Sequence, residues 1–306
     1  MKINYQILKD LCSINACSGN EGPVAEYVIQ YIKSYQHTFK AKPQLFTGGE
    51  LQDAVVLIFG QASTAIFAHM DNIGFTVRYE NEIVQIGSPN NQKGIKLYGR
   101  DSKGEIVCAI DDASGVTVVN FHREIDRGTN LSFVCNFRET DNSIQSCYLD
   151  NRMGVFAALL VAHEIEHGAI VFSCYEEHGG GSTANLSRWL WENYKITQAL
   201  ICDITWATDG VQQGKGVAIS LRDKGIPRKR FLDKIIELMG ESGIPYQLEV
   251  EGSGGSDGTE IQKSPYPIDW CFIGAPENNV HTPDEIVHKK DFENMVKAYI
   301  YLMNNL

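Results

Sequence analysis

AIVFSCYEE, residues 169–177, is an apolar run that closes on two carboxylates. It lies between two stretches with helical spacing, RMGVFAALLVAHEIEH at 152–167 and STANLSRWLWENY at 182–194. A short apolar run flanked by helical patterns reads as a strand buried on both faces. The rhythm repeats on either side. DAVVLIF at 53–59 and TAIFAHMD at 64–71 precede it, and ITQALICDI at 196–204 and PIDWCFIGAP at 267–276 follow. The helical stretches RKRFLDKIIELMGESG at 228–243 and KKDFENMVKAYIYLMNNL at 289–306 separate or close the later strands. Strands alternating with helices predict an α/β fold, a mixed, largely parallel sheet sandwiched by helices.

From residue 75 to about 145 the texture changes. FTVRYENEIVQIG, GIKLYGRDSKGEIVCAI and TNLSFVCNF alternate apolar and polar residues between turn signals. That pattern predicts a small antiparallel β-barrel-like domain inserted into the α/β layer. The expected division is 1–74 with 146–306 for the main domain, and 75–145 for the insert. Near the N-terminus, Asn20 is a candidate cap for the helix EGPVAEYVIQYIKSY.

The chain has 306 residues, 43% of them hydrophobic, and a formal charge of −11. Phosphate-backbone binding needs clustered Lys and Arg, so nucleic acid is not an expected partner. No apolar run approaches the ~18 residues that span a bilayer, so neither is a membrane. Eight cysteines, none in a C-x-x-C pair, are scattered through apolar runs. They suit buried, reduced thiols and a cytoplasmic protein.

In open α/β sheets, ligands gather beyond the carboxyl ends of the strands. TAIFAHMD delivers His69 and Asp71 there, AIVFSCYEE delivers Glu176 and Glu177, and ALICDI delivers Asp203. Asp150 in YLDNRMG stands before a helix, and His281 in NNVHTPDE stands in a loop. Asp150 alone reads as a helix N-cap, and Thr282 to Glu285 alone read as a capping box. Converging carboxylates resist burial unless cations neutralise them. Imidazole and carboxylate donors without thiolate suit Zn, Co or Mn. Five ligands, His69, Asp150, Glu177, Asp203 and His281, divide between two ions if Asp150 bridges, since it approaches from the helix side. Asp71 is placed to accept the second N–H of His69. Of the two adjacent glutamates, one would bind metal and the other would serve as base.

Two other motifs compete. HEIEH at 163–167 fits the H-E-x-x-H zinc signature, but only the last turn of its helix would carry it, before Gly168. GSGGSDGT at 252–259 lacks the G-K-[ST] ending of a phosphate loop. It reads instead as a pocket loop, with Ser256 and Asp257 as candidate substrate contacts alongside His178. His37, His122 and His288 read as surface residues.

In order, AHMDNIGF, YLDNRMG, YEEHG, CDI and NVHTPDE resemble the M42 aminopeptidases, co-catalytic dinuclear metallopeptidases of the glutamyl and deblocking type. The resemblance spans nearly the whole chain. It implies that His69 and Asp203 bind one metal, Glu177 and His281 the other, and that Asp150 bridges. It makes Glu176 the catalytic base and Asp71 the residue that orients His69. It also implies a cis peptide after Asp150, and an insert that mediates dimers within larger, even dodecameric, homo-oligomers. The chain departs from the family pattern outside the ligands. Asn72 stands where Glu is common, HGGGSTA follows the glutamates, GSDGTE replaces G-T-D-A, and Asn278-Asn279 replace an Arg-Tyr pair. The implied activity is removal of N-terminal residues from short peptides. The rival readings are an N-acyl amino acid deacylase using the same site, and a non-catalytic metal-binding homologue.

Overall fold

The computed structural model describes residues 3–113 and 115–306. Its centre is an eleven-stranded mixed sheet. Four parallel neighbours form the middle, in the order Gly168–Ser173, Thr64–His69, Gln198–Trp206 and Asp269–Asn278. Their apolar runs are buried almost throughout, as expected of strands covered on both faces. Antiparallel strands extend both edges, Val55–Phe59 and Gln44–Thr47 on one side, Glu285–His288 and Ser143–Ser146 on the other. A branch, Val217–Arg222 with Tyr246–Val250, pairs onto Asp269–Asn278.

The helices Leu149–Ala162 and Lys289–Asn305 pack on this sheet and on each other, joined by Gln6–Ser13 and Lys229–Ser242. Thr183–Tyr194 and Asp257–Lys263 pack together on the same strands as a separate group. Gly154 lets the helix carrying Asp150 press against Gln198–Trp206, where a Cβ would collide with the Cys202 carbonyl oxygen.

Residues 74–133 form a six-stranded antiparallel sheet with its own core of Phe75, Leu97, Ile106, Leu131 and Phe133. A bridge between Glu82 and Val118 brings its two edges together, so it is nearly closed as a barrel. Arg138–Glu139 and Ser143–Ser146 then rejoin the large sheet.

Four local expectations are corrected. Asn20 does not cap the helix Gly22–Tyr35, which starts from Glu21 without a side-chain cap. Thr282 to Glu285 do not open a helix. Glu285–His288 is a strand, and the helix Lys289–Asn305 is capped by His288, whose Nδ1 accepts from Lys290 N at 3.2 Å. The strand after Gly168 ends at Ser173, leaving the glutamate pair in the turn beyond it. The helix expected to run through HEIEH ends at Ala162, and His167 lies past it with Nδ1 accepting from Gln61 N, so the motif does not present two imidazoles one helical turn apart.

Candidate active site

The sheet register sets the site. Ser173 pairs with His69 on one side, and Ile201 pairs with Phe67 on the other. Two residues onward, Asp203 stands level with His69 on the same face. Nε2 of His69 lies 3.5 Å from Asp203 Oδ2, 3.2 Å from Asp150 Oδ1 and 3.9 Å from Glu176 Oε2. Asp150 Oδ2 faces Nε2 of His281 at 3.4 Å, and the same nitrogen lies 3.3 Å from Glu177 Oε2. The structure therefore gathers all five expected ligand side chains, with Asp150 between the imidazoles and Glu176 alongside.

Asp150 is free for this because its neighbour does the capping. Asn151 Oδ1 accepts from Gly154 N at 2.8 Å, and the Asp150–Asn151 peptide is cis. Glu285 braces two ligands at once, accepting from Asp150 N at 3.3 Å and from His281 N at 3.0 Å. Ser88, which follows the small sheet's second strand, holds Nδ1 of His281 at 2.7 Å. Asp71 is fully buried and fixes the glutamate turn, accepting from Glu176 N at 3.1 Å and Glu177 N at 3.0 Å. Its Oδ1 also lies 3.3 Å from His69 Nδ1, in ionic contact but off the line of a hydrogen bond.

Three sequence candidates fall elsewhere. Asp257 is buried and accepts from Ser173 at 2.5 Å and from Thr183, so it joins helix to strand and does not face a substrate. Ser256 caps Asp257–Lys263, accepting from Gly258 N. His178 is exposed, and its Nδ1 accepts from Gly87 N at 3.1 Å. The pocket loop contributes Ser253, Gly254 and Gly255 instead. These line a cavity of about 450 Å³ that opens onto Asp150, Glu176, Glu177, Asp203 and His281. Asp223, Glu249, Glu251 and Trp206 also line it and went unrecognised in the sequence. The alternation in IPYQLEVE, which puts Glu249 and Glu251 on one strand face, was the available signal.

The charges are unbalanced. Among the described residues no Lys or Arg pairs with Asp71, Asp150, Glu176, Glu177 or Asp203. Burial pushes the Glu177 carboxyl up to about 7 and Asp203 up to about 6, and drives Glu176 well above its ordinary range. Burial would also raise Asp150, but the imidazoles of His281 and His69 outweigh it and hold that carboxyl low. Burial would lower His281, but Asp150 and Glu177 carry it up to about 11. Protons are thus held where cations belong. His69, Asp150 and Glu177 each bring a ligand atom within 4.8 Å of the others, and buried Glu177 Oε1 has no hydrogen-bond partner among the described residues. An unsatisfied buried carboxylate oxygen within an N/O donor cluster fits a divalent metal.

Comparison with known proteins agrees. A protein of Acetivibrio thermocellus, provisionally named an aminopeptidase, is 25% identical over 97% of each chain. Aminopeptidase APDkam598 of the archaeon Desulfurococcus kamchatkensis superposes with a TM-score of 0.86 at 21% identity, covering 98% of this chain and 94% of that one. The Pyrococcus horikoshii TET1 peptidase, which assembles into a tetrahedron or a large octahedral shell, gives 0.82 at 20% identity, with 97% and 98% covered. Residues 119–298, more than half of the sequence, match the M42 glutamyl aminopeptidase family, to which this chain belongs as a metallopeptidase that hydrolyses peptide bonds.

Proposed function

We propose that the protein is a dinuclear metallo-aminopeptidase that removes N-terminal residues from short peptides. The observation that supports this most is one carboxylate, Asp150, directing its two oxygens at two imidazoles, His69 at 3.2 Å and His281 at 3.4 Å. His69 with Asp203 would hold one ion, Glu177 with His281 the other, and Asp150 both. Divalent cations of the Zn, Co or Mn type, when bound, supply Lewis acidity for the scissile carbonyl and make an attacking water more acidic.

The remaining work falls to the chain. Glu176 lines the cavity beside His69 without a hydrogen-bonding donor on its side chain, so it takes the proton from water and returns it to the leaving amine. Asp71 fixes the orientation of His69 and, through two backbone N–H groups, the turn that presents Glu176. Glu285 and Ser88 keep Asp150 and His281 in place.

The chain is read as a homo-oligomer by analogy with the assembled TET1 peptidase. The family resemblance gives subunit pairing to the insert, whose own sheet ends at residue 133 rather than at the expected 145 because 138–146 belong to the large sheet. Eight free cysteines suit a reducing compartment such as the cytoplasm. Among the described residues no helix is long and apolar enough to cross a membrane.

The deciding assay compares aminoacyl-anilides with N-acyl amino acids, on chelator-stripped protein and on protein restored with Zn, Co or Mn. Anilide hydrolysis that vanishes on stripping and returns with about two ions per chain supports the reading. Exclusive cleavage of the N-acyl substrates, or activity indifferent to metal, overturns it.

A further inference from the structure

One wall of the active-site cavity carries three more carboxylates, Asp223, Glu249 and Glu251, beyond Asp150, Glu176, Glu177 and Asp203, the four that line it at the ligand cluster. The strand pair Val217–Arg222 and Tyr246–Val250 presents them. Ser220 is in register with Glu249, and alternation returns Glu251 to the same face. Among the described residues none of the three forms an ion pair with Lys or Arg. The nearest guanidinium, on Arg222, sends its Nε–H to the backbone oxygen of Asp223.

Asp223 is only 8% exposed. Its Oδ1 accepts from Gly225 N, no hydrogen bond reaches Oδ2 among the described residues, and the residue lines the cavity. Glu249 is 4% exposed and spends one oxygen on Thr205 Oγ1 at 2.5 Å. Burial raises both carboxyls, at Asp223 against its backbone hydrogen bond and the charge of Arg222, so a further cation placed among the three side chains would find them poorly compensated. A metal is a poor candidate. Imidazole is absent from the wall, and the three carboxylates do not converge as His69, Asp150 and Glu177 do. An organic cation on an apolar stem fits better. Trp206, 43% exposed, and Phe272 line the same cavity, offering faces for methylenes and for a guanidinium.

We propose that Asp223, Glu249 and Glu251 form the pocket for the side chain of the residue removed, and that it selects N-terminal lysine and arginine. This rests on the aminopeptidase reading above. An N-terminal glutamate would meet like charges on this wall.

The test measures kcat/KM of the metal-loaded, full-length enzyme on lysyl-, arginyl-, leucyl- and glutamyl-anilides. Lysyl and arginyl substrates are expected to exceed leucyl on the order of tenfold and glutamyl on the order of a hundredfold. Asp223→Asn and Glu251→Gln should each pull the lysyl-to-leucyl ratio down by about tenfold, mostly through KM, with metal content retained. Leucyl or glutamyl preference in the wild-type enzyme overturns the proposal while leaving the aminopeptidase reading intact, and it needs no variant to fold. A ratio unmoved in both variants overturns the assignment of these residues. Inert anilides throughout the panel overturn the aminopeptidase reading and this proposal with it.

Discussion

Asp71 Oδ1 sits 3.3 Å from Nδ1 of His69, and both side chains are almost completely buried. The charge of the carboxylate favours a proton on Nδ1, the tautomer that leaves Nε2 facing the ligand cluster. Asp71→Asn keeps the size but replaces one acceptor oxygen with an amide N–H₂ among donors, Ser18 and the Glu176 and Glu177 amides. Metal affinity should fall about 10- to 100-fold, read by chelator competition. Unchanged affinity would show that Asp71 positions nothing that matters to the ions.

The base assignment yields a cleaner separation. Among the described residues the one ion-pair contact of Glu176 with the cluster is to His69, at 3.9 Å, whereas Glu177 reaches His281 at 3.3 Å. Glu176→Gln should therefore keep both ions by elemental analysis while kcat drops on the order of 10²–10⁴. Glu177→Gln should lose metal first. Near-normal turnover in Glu176→Gln would refute its role as base.

The central strands were readable because burial on both faces leaves unbroken apolar runs, and His69, Asp71, Glu176, Glu177 and Asp203 stood out because they lie at or just beyond the ends of those runs. Helix capping was less legible. Asp150 and Asn151 are both good N-caps, and only the packing of the chain decides that Asn151 bonds Gly154 while Asp150 turns to the imidazoles. Thr282 to Glu285 carry a capping box, yet Glu285 pairs in register with Ser146 and is drawn under Asp150. Tertiary pairing there outweighs a local preference of about 1 kcal/mol. Ser88 and Asp223 carry no local signal, since each matters only because a distant segment folds over it.

Chelation should destabilise the protein in a pH-dependent way. Without cations, Glu177 and Asp203 are pushed up to about 7 and about 6 by burial. A raised folded-state value means stability is fully present below the unfolded value, about 4, and is lost as pH rises through the folded value. Protons thus substitute for metal in mild acid and leave as the solution becomes alkaline. The Tm difference between loaded and stripped protein should be larger at about pH 8 than at about pH 6. An equal difference at both, by calorimetry, would mean the cluster is not the source of the instability.

Among the described residues Arg152 is the largest fully buried side chain, and it makes no salt bridge there. Its guanidinium instead donates to backbone oxygens of Leu11, Ile14, Met70 and Asp71 and to Oδ1 of Asn72 at 2.6 Å. It therefore ties the end of the first helix to the chain just beyond His69, two residues along from Asp150. Methionine fills similar space but donates nothing, stranding several carbonyl oxygens away from water. Arg152→Met should cost about 1–3 kcal/mol for each acceptor left without a donor, measured by urea unfolding of the loaded protein. Because the lost donors hold the backbone that carries Asp71, the variant should also bind metal more weakly at temperatures where it is still folded. A stability loss with unaltered metal affinity would confine Arg152 to the core and break its link to the site.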